Sequence, residues 1–464
     1  MNPEPLAPLV PGAGILGHVR QMNRDALGFL LNARRRQGDV SRFRFANLTG
    51  VLVAHPDGIR HVLQENHKGY SKATRGFEAL RDILGNGLLT SDGDFWLRQR
   101  RIAQPAFHRD RIASFAASMT AAAVDTTVRW EPLAKVGKPV DIAAEMMRLT
   151  LRIVGQTLLS TELDDDADAV GGALAVVQED TNERVKSVIN FPLSVPTPRN
   201  KRFLRARKIL DDVVMRAIHE RRSGEALPLP LPEGGVPNDL LHMLMAARDE
   251  DTGEAMSDVQ LRDEVMTIFL AGHETTSNAL SWCWYCLSKS PACERALARE
   301  LETVLKGRPP TLADLPALPY TKMVLQEAMR LYPPAWLVAR RAIADDAIGG
   351  FRIAKKSLVF LSPYVTQRHP AFWENPEGFD PERFRSENEA GRPKYLYFPF
   401  GGGPRICIGT AFAMLEGQLL LATIAQKYTL HLVPGHPVEP EPLITLRPRG
   451  GMPMTIHARK VGEA

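Results

Sequence analysis

Cys407 stands in the run FPFGGGPRICIGTAFA, residues 398–413, behind a glycine-rich turn and ahead of Ile408, Ala411, Phe412, Leu415, Leu419 and Ala422, apolar residues at helical spacing. A cysteine at the head of a helix meets unpaired N–H groups and the positive end of the helix dipole, which favour its thiolate. Arg405 adds a cation nearby, and Gly401, Gly402 and Gly403 let the backbone pass close to a flat, bulky object. No other cysteine or histidine stands at chelating spacing, so the thiolate suits a metal that arrives with its other ligands, as haem iron does. By itself, such a loop is more often a buried free cysteine in a capping turn.

Other residues carry acid–base or ionic chemistry. Glu274 and Thr275, in AGHETT (271–276), put an acid and an alcohol into an apolar helix, where both need partners. Glu327 and Arg330, in LQEAMRLYPP, are placed to pair along one helix face. Trp96 and Arg100, in WLRQRR, lie one helical turn apart, and a planar guanidinium fork matches a carboxylate. Three further patterns fail on spacing. His273 and Glu274 open like a zinc-protease helix, but Ser277 occupies the position of the second histidine. Cys283 and Cys286 sit mid-helix without a second pair, which reads as core packing. GGGPR lacks the lysine and hydroxyl residue of a phosphate loop.

The elements that must hold these residues are mostly helical. Of 464 residues, 44% are hydrophobic and 24% charged, the balance of a folded globular chain. A net charge of +5, with no long basic run and no interleaved aromatics, argues against nucleic acid. Four cysteines make no disulfide framework and point to a reducing compartment. The proline-broken N-terminus is neither a signal peptide nor a membrane anchor, so a soluble, cytoplasmic protein is expected. DALGFLLNARRRQG reads as a helix, SRFRFANLTGVLVAHP as a hairpin turning at Asn47 to Gly50, and residues 93–220 as long amphipathic helices interrupted at NFPLSVPTPRN. LPLPLPEGGVPNDL, 227–240, reads as a flexible linker and ARDEDTGEAMSD as a charged surface turn. Residues 256–291 form a long buried helix, opened by Ser257 and closed by Pro291. SLVFLSPY and ITLRPRGGMPMTI are short strands, so small sheets are expected at both ends of the sequence.

The stretch Phe400-x-x-Gly403-x-Arg405-x-Cys407-x-Gly409 resembles the haem-binding signature of the cytochrome P-450 family, and the other three motifs follow that family's order from about residue 5 to residue 459. The resemblance implies a mainly α fold with small β-sheets: one large domain over 1–464, β-richer at about 35–70, helical at about 93–335, with haem b between a long central helix and the cysteine loop at 398–409. It makes Cys407 the axial iron ligand; Trp96, Arg100, Arg340 and Arg405 the propionate partners, with Arg341 a rival to Arg340; and Glu327, Arg330 and Arg383 of FDPERF a buried structural triad. Ala271 and Gly272 would leave room for dioxygen, with Glu274 and Thr275 relaying protons. Leu89, Leu270, Ala271, Ala335, Leu337 and Ile444 would surround the distal pocket, under a lid carrying Phe191, Leu193 and Val195.

The activity implied is monooxygenation: one atom of O2 inserted into a hydrophobic small molecule, a fatty acid, terpenoid or steroid. Because no flavin or nicotinamide fingerprint appears, the electrons are expected from a ferredoxin or flavodoxin with its reductase, steered by Arg98, Arg101, Lys394 and Arg405. A peroxide-driven peroxygenase or isomerase is one alternative, against which Glu274–Thr275 counts, and a non-catalytic haem sensor or carrier is another.

Overall fold

Ser257 opens the longest helix with a reciprocal cap: its hydroxyl accepts the Gln260 N–H at 3.2 Å, and the Gln260 side chain accepts the Ser257 N–H at 2.9 Å. The helix runs Asp258–Lys289, about 48 Å at the usual rise per residue. Ser290 ends it, and Pro291, which needs no N–H partner at a first helical position, begins the next helix, Pro291–Leu305. Phe269, Leu280, Trp282 and Cys283 are fully buried, so the central helix is enclosed on nearly all sides. Helices Ile142–Val154, Pro198–Ser223, Pro319–Leu331 and Thr410–Ala425 pack against it and share its apolar core. This computed structural model describes residues 4–12, 14–45, 48–161, 167–187, 190–223, 239–249 and 251–459.

The sheets depart from expectation. Val40–Phe45 and Leu48–Val53 pair antiparallel, with Phe45 opposite Leu48, so Leu48 to Gly50 belong to the second strand rather than to the turn; Asn47 lies outside the described residues. Leu358–Leu361 then adds in parallel to Leu48–Val53, and Val338–Ala342 and Tyr70–Ser71 complete a five-stranded sheet. The expected N-terminal hairpin and SLVFLSPY therefore share one sheet, because a parallel pair requires a long crossover and the whole helical body serves as that connection, whereas ITLRPRGGMPMTI supplies strands to other sheets. Val140–Asp141, Pro453–Ala458 and Tyr428–Leu432 make a second sheet.

Two surface expectations also change. The 227–240 linker lies outside the described residues except Asp239 and Leu240, and Asp239 is buried, capping helix Leu240–Ala246 and pairing with Arg221 at 2.6 Å. In the 247–258 turn Asp249 is buried, accepting the N–H groups of Asp251 and Thr252 and lying 3.6 Å from Arg101. Helices Ala167–Lys186 and Pro198–Ser223 flank the expected lid, where Asn200 is buried and ties the Pro192 and Val195 carbonyls, each at 2.8 Å.

Two buried carboxyl groups in the core behave oppositely. Glu327 is fully buried but paired: Arg330 reaches both its oxygens at 2.6 and 2.8 Å, Arg383 approaches at 3.4 Å, and the Asp380 N–H donates at 2.9 Å. Arg330 spends its remaining donors on the carbonyls of Gln367, Pro376 and Gly378. The expected triad thus assembles, because a buried charge is tolerated only when it and its partner are both satisfied. Glu416, on helix Thr410–Ala425, is also fully buried, yet neither oxygen meets a hydrogen-bond partner among the described residues. The Thr276 hydroxyl beside it is turned to the Gly272 carbonyl at 3.3 Å and offsets only part of the burial, which pushes the Glu416 carboxyl up to about 8.

Glu327→Ala is expected to lower stability by about 3–5 kcal/mol, since it strands Arg330 without its counterion; denaturant titration measures it. For Glu416 the raised value means that the folded state binds a proton more readily than the unfolded chain, so stability falls as pH rises from about 4.5 through about 8. Glu416→Gln removes that penalty: its Tm relative to the parent is expected to climb between pH 5 and pH 8.5, by roughly 2 °C or more at the upper end. A constant difference across those pH values would contradict a neutral Glu416.

Candidate active site

Cys407 lies two residues before Gly409, the N-cap of helix Thr410–Ala425. Its N–H donates to the Phe400 carbonyl at 3.0 Å, which closes the loop, and the Thr410 hydroxyl donates to the Cys407 carbonyl at 2.9 Å. The thiol is reachable by solvent yet enclosed by protein. Burial pushes it up, and the Gly409 N–H, the Arg100 charge and Thr410 offset only part of this. Burial thus opposes the thiolate that the helix N-terminus favours, and a cation bound at the sulfur would favour it.

The glycines allow close packing on the protein beneath the loop: a Cβ on Gly403, whose φ is +65°, would lie 1.8 Å from the Leu63 carbonyl oxygen, and one on Gly402 2.1 Å from the Tyr395 ring. Gly401, whose φ is +72°, has open space where its Cβ would be.

Cations gather around the loop. Arg405 pairs with Asp92, donates to the Ser91 carbonyl at 3.1 Å, and lies 4.0 Å over the Trp96 ring. Arg100, one helical turn from Trp96, donates to the Ile406 carbonyl at 3.0 Å. Arg340 is buried and donates to the adjacent Ala339 carbonyl at 2.8 Å, and burial together with the Arg405 charge lowers it to about 10. Alternation along Val338–Ala342 separates it from Arg341, which pairs in register with Ser71 and stays half-buried, so Arg340 is the member that joins the cluster. Lys72, absent from the sequence expectations, is buried with Nζ on the Leu89 carbonyl at 2.6 Å, and burial, then Arg405 and Arg340, holds it well below the ordinary lysine range. No motif marks it, since YSKATRG looks like any surface segment.

Asp92 is the carboxylate acting on Lys72, Arg340 and Arg405 together. Such an excess of buried positive charge fits a ligand that brings carboxylates, and the accessible thiol beside it fits an iron ligand. The residues present thus fit haem: Cys407 for the iron, and Arg100, Arg340, Arg405, Trp96 and Lys72 for its two propionates.

On the central helix, Ala271 is exposed and Thr275 half-exposed although Glu274 and Thr276 beside them are buried, so one strip of a buried helix faces open space. Thr275 donates to the Ala271 carbonyl at 2.8 Å. Gly272 departs from expectation: a Cβ there would point at Val154, 3.2 Å away, so its small size admits the neighbouring helix, and the room belongs to Ala271. Glu274 accepts from the Thr445 hydroxyl, which Asn278 also contacts at 3.0 Å, and lies beside Gln178. Burial raises it to about 6 against these contacts and the Arg447 charge. Sequence spacing marked Glu274 but had no means of marking Thr445 or Gln178, which are distant in the chain.

The expected wall residues share a signature: Leu89, Ala271 and Ala335 are exposed, and Leu270, Leu337 and Ile444 half-buried, while Leu88, Trp336 and Leu446 among them are buried. The Ala335 and Ile444 segments are joined, Leu446 N–H donating to the Pro334 carbonyl at 2.9 Å and the Trp336 indole N–H to the Leu443 carbonyl at 2.9 Å. The basic steering surface does not form as expected. Arg98 pairs with Glu254 at 3.2 Å and Arg101 with Asp251 at 2.5 Å, Arg405 turns inward to Asp92, and Lys394 donates to Gln64 at 2.8 Å. Among the described residues no helix is long and apolar enough to cross a membrane.

A family model for cytochrome P-450 matches residues 5–452. A cyclooctatin synthase of Streptomyces melanosporofaciens is 37% identical over 436 residues, 94% of this chain and 92% of its own. From the same organism, a cyclooctat-9-en-7-ol 5-monooxygenase is 34% identical, covering 91% of this chain and 88% of its own. A pentalenene oxygenase of Streptomyces avermitilis is 32% identical over 463 residues, 99% of each chain.

Proposed function

The chain belongs to the cytochrome P-450 family, and from that premise we propose that this haem-thiolate monooxygenase hydroxylates a terpenoid held against Leu89, Leu270, Ala271, Ala335, Leu337 and Ile444. The observation that carries the reading is an accessible Cys407 thiol beside a buried cluster of cations with one shared carboxylate, a pairing that suits an iron porphyrin and little else. Two relatives bear the names of terpenoid substrates, cyclooctat-9-en-7-ol and pentalenene, which favours that class over fatty acids and steroids. The wall residues are all apolar, as a terpenoid skeleton requires.

Bound haem supplies the centre at which dioxygen is activated with two electrons from outside the chain. Cys407 Sγ holds the iron, and Arg100, Arg340, Arg405 and Lys72 neutralise the carboxylates, with Phe400 and Gly409 shaping the loop. Thr275 is turned to the open strip, its hydroxyl able to exchange its backbone bond for one to water. Glu274, with a carboxyl near 6, takes up and releases protons near neutral pH, and Thr445 holds it in place beside Gln178. That intact pair favours oxygen chemistry over a peroxide-driven reaction. A ferredoxin or flavodoxin with its reductase delivers the electrons, in the cytoplasm, to a catalytic unit spanning 1–464; the continuous helical core supports one domain.

The reduced protein under carbon monoxide is expected to show a strongly red-shifted Soret band, which Cys407→Ala abolishes; an unshifted band, or no haem, would sink the assignment. Terpenoid hydrocarbons are expected to shift the iron spin state at lower concentration than fatty acids of similar size, and the reverse order would overturn the substrate class. Thr275→Ala is expected to retain haem and electron uptake while diverting most reducing equivalents into hydrogen peroxide, roughly a tenfold loss of product per electron pair. Coupling at the parent level would remove Thr275 from proton delivery.

A further inference from the structure

Asp263 and Glu264 are neighbours near the start of the central helix, both buried and both outside the proton pair at Glu274 and Thr275. Each accepts one backbone amide from the segment Gly85–Asp92: the Asn86 N–H reaches Asp263 Oδ2 at 2.8 Å, and the Leu88 N–H reaches Glu264 Oε2 at 2.9 Å. The approach is too close for side chains. A Cβ on Gly85, whose φ is +61°, would lie 2.1 Å from Asp263 Oδ1; one on Gly87 would lie 2.3 Å from Thr267 Oγ1 and 2.6 Å from the Asp263 carbonyl oxygen. Two glycines and two carboxylates thus press one stretch of loop onto one face of the helix.

The far end of the same segment holds the cation cluster. The Leu89 carbonyl accepts from Lys72 at 2.6 Å, the Thr90 carbonyl from Arg81 at 2.8 Å, the Ser91 carbonyl from Arg405 at 3.1 Å, and Asp92 pairs with Arg405. Between these anchors Leu89 turns outward, 38% exposed beside buried Leu88 and Thr90. A loop pinned at both ends presents that side chain in one place. A loop pinned only at the cation end would let it swing, since each hydrogen bond to a buried acceptor is a local restraint on the segment that donates it.

We propose that Asp263 and Glu264 form a carboxylate latch that holds Gly85–Asp92 in the conformation presenting Leu89 to the pocket, and so sets the bulk of hydrophobic ligand the pocket accepts. The latch rests on the oxygenase reading for the identity of the pocket. Both residues are positioning residues: they act through the loop.

The test uses the full-length holoprotein, with amide exchange over residues 85–91 followed by mass spectrometry. Dissociation constants for phenylimidazole and for the bulkier clotrimazole are read from the Soret shift. Glu264→Leu removes one acceptor, whereas Gly87→Ala lifts the loop off Thr267 and leaves both carboxylates in place. Each is expected to speed exchange of this segment about tenfold, the effect of losing one buried hydrogen bond, and to move the ratio of the two constants about fivefold toward the bulkier ligand. Glu264→Gln keeps an acceptor oxygen and is expected to restore both readouts. Unchanged exchange, faster exchange with an unchanged ratio, or a glutamine variant as loose as the leucine variant would each overturn the latch. A protein without a haem spectrum would defeat the oxygenase reading instead, and the exchange measurement would still decide whether the latch exists.

Discussion

A long helix enclosed by protein needs partners for most of the polar groups it carries, because an unpaired buried polar atom costs of the order of 1–3 kcal/mol. The central helix carries Asp263, Glu264, Glu274, Asn278 and the Trp282 indole on buried positions. They reach two segments: Asp263 and Glu264 the Gly85–Asp92 loop, and Glu274, Asn278 and Trp282 the Thr445–Leu446 segment, whose Leu446 carbonyl Trp282 contacts at 3.0 Å. The expected wall residues Leu89 and Ile444 lie on or beside those segments. Side chains that look like poor core design are the means by which the helix recruits and orients its surroundings.

Around the cysteine loop the balance is reversed: the protein supplies more charge than it can satisfy. Lys72, Arg340 and Arg405 share Asp92, and desolvation weakens all three cations. The core offers a contrast in Glu327 and Arg330, which saturate each other and the neighbouring carbonyls. Both arrangements are buried ion clusters. One is complete and structural, and the other is built to be completed by a ligand that carries its own carboxylates.

Much of the site was legible because its chemistry is local. Cys407 at a helix head, Glu327 and Arg330 one turn apart, and Trp96 with Arg100 are relations between near neighbours in the chain, which helical geometry turns into a shared face and, for Glu327 and Arg330, into a contact. Ser257 likewise predicted its own cap. Expectations failed where a residue's role depends on what lies opposite. The arginines expected on a basic surface are paired with carboxylates, and Gly402 and Gly403 also pack against Tyr395 and Leu63, contacts that no local pattern shows.

The sequence by itself determined the helical class, the acid–alcohol pair and the Glu–Arg pair, which follow from residue type and short-range periodicity, while Cys407 was singled out by the resemblance of its loop to a haem-binding signature. Only the tertiary structure decided that Arg340 and not Arg341 joins the cation cluster, that Lys72 belongs to it, that Thr445 and Gln178 meet Glu274, and that the N-terminal hairpin and SLVFLSPY share one sheet. These depend on contacts between residues far apart in the chain. Side-chain alternation, burial and charge pairing acquire a sign only when the opposing surface is in place.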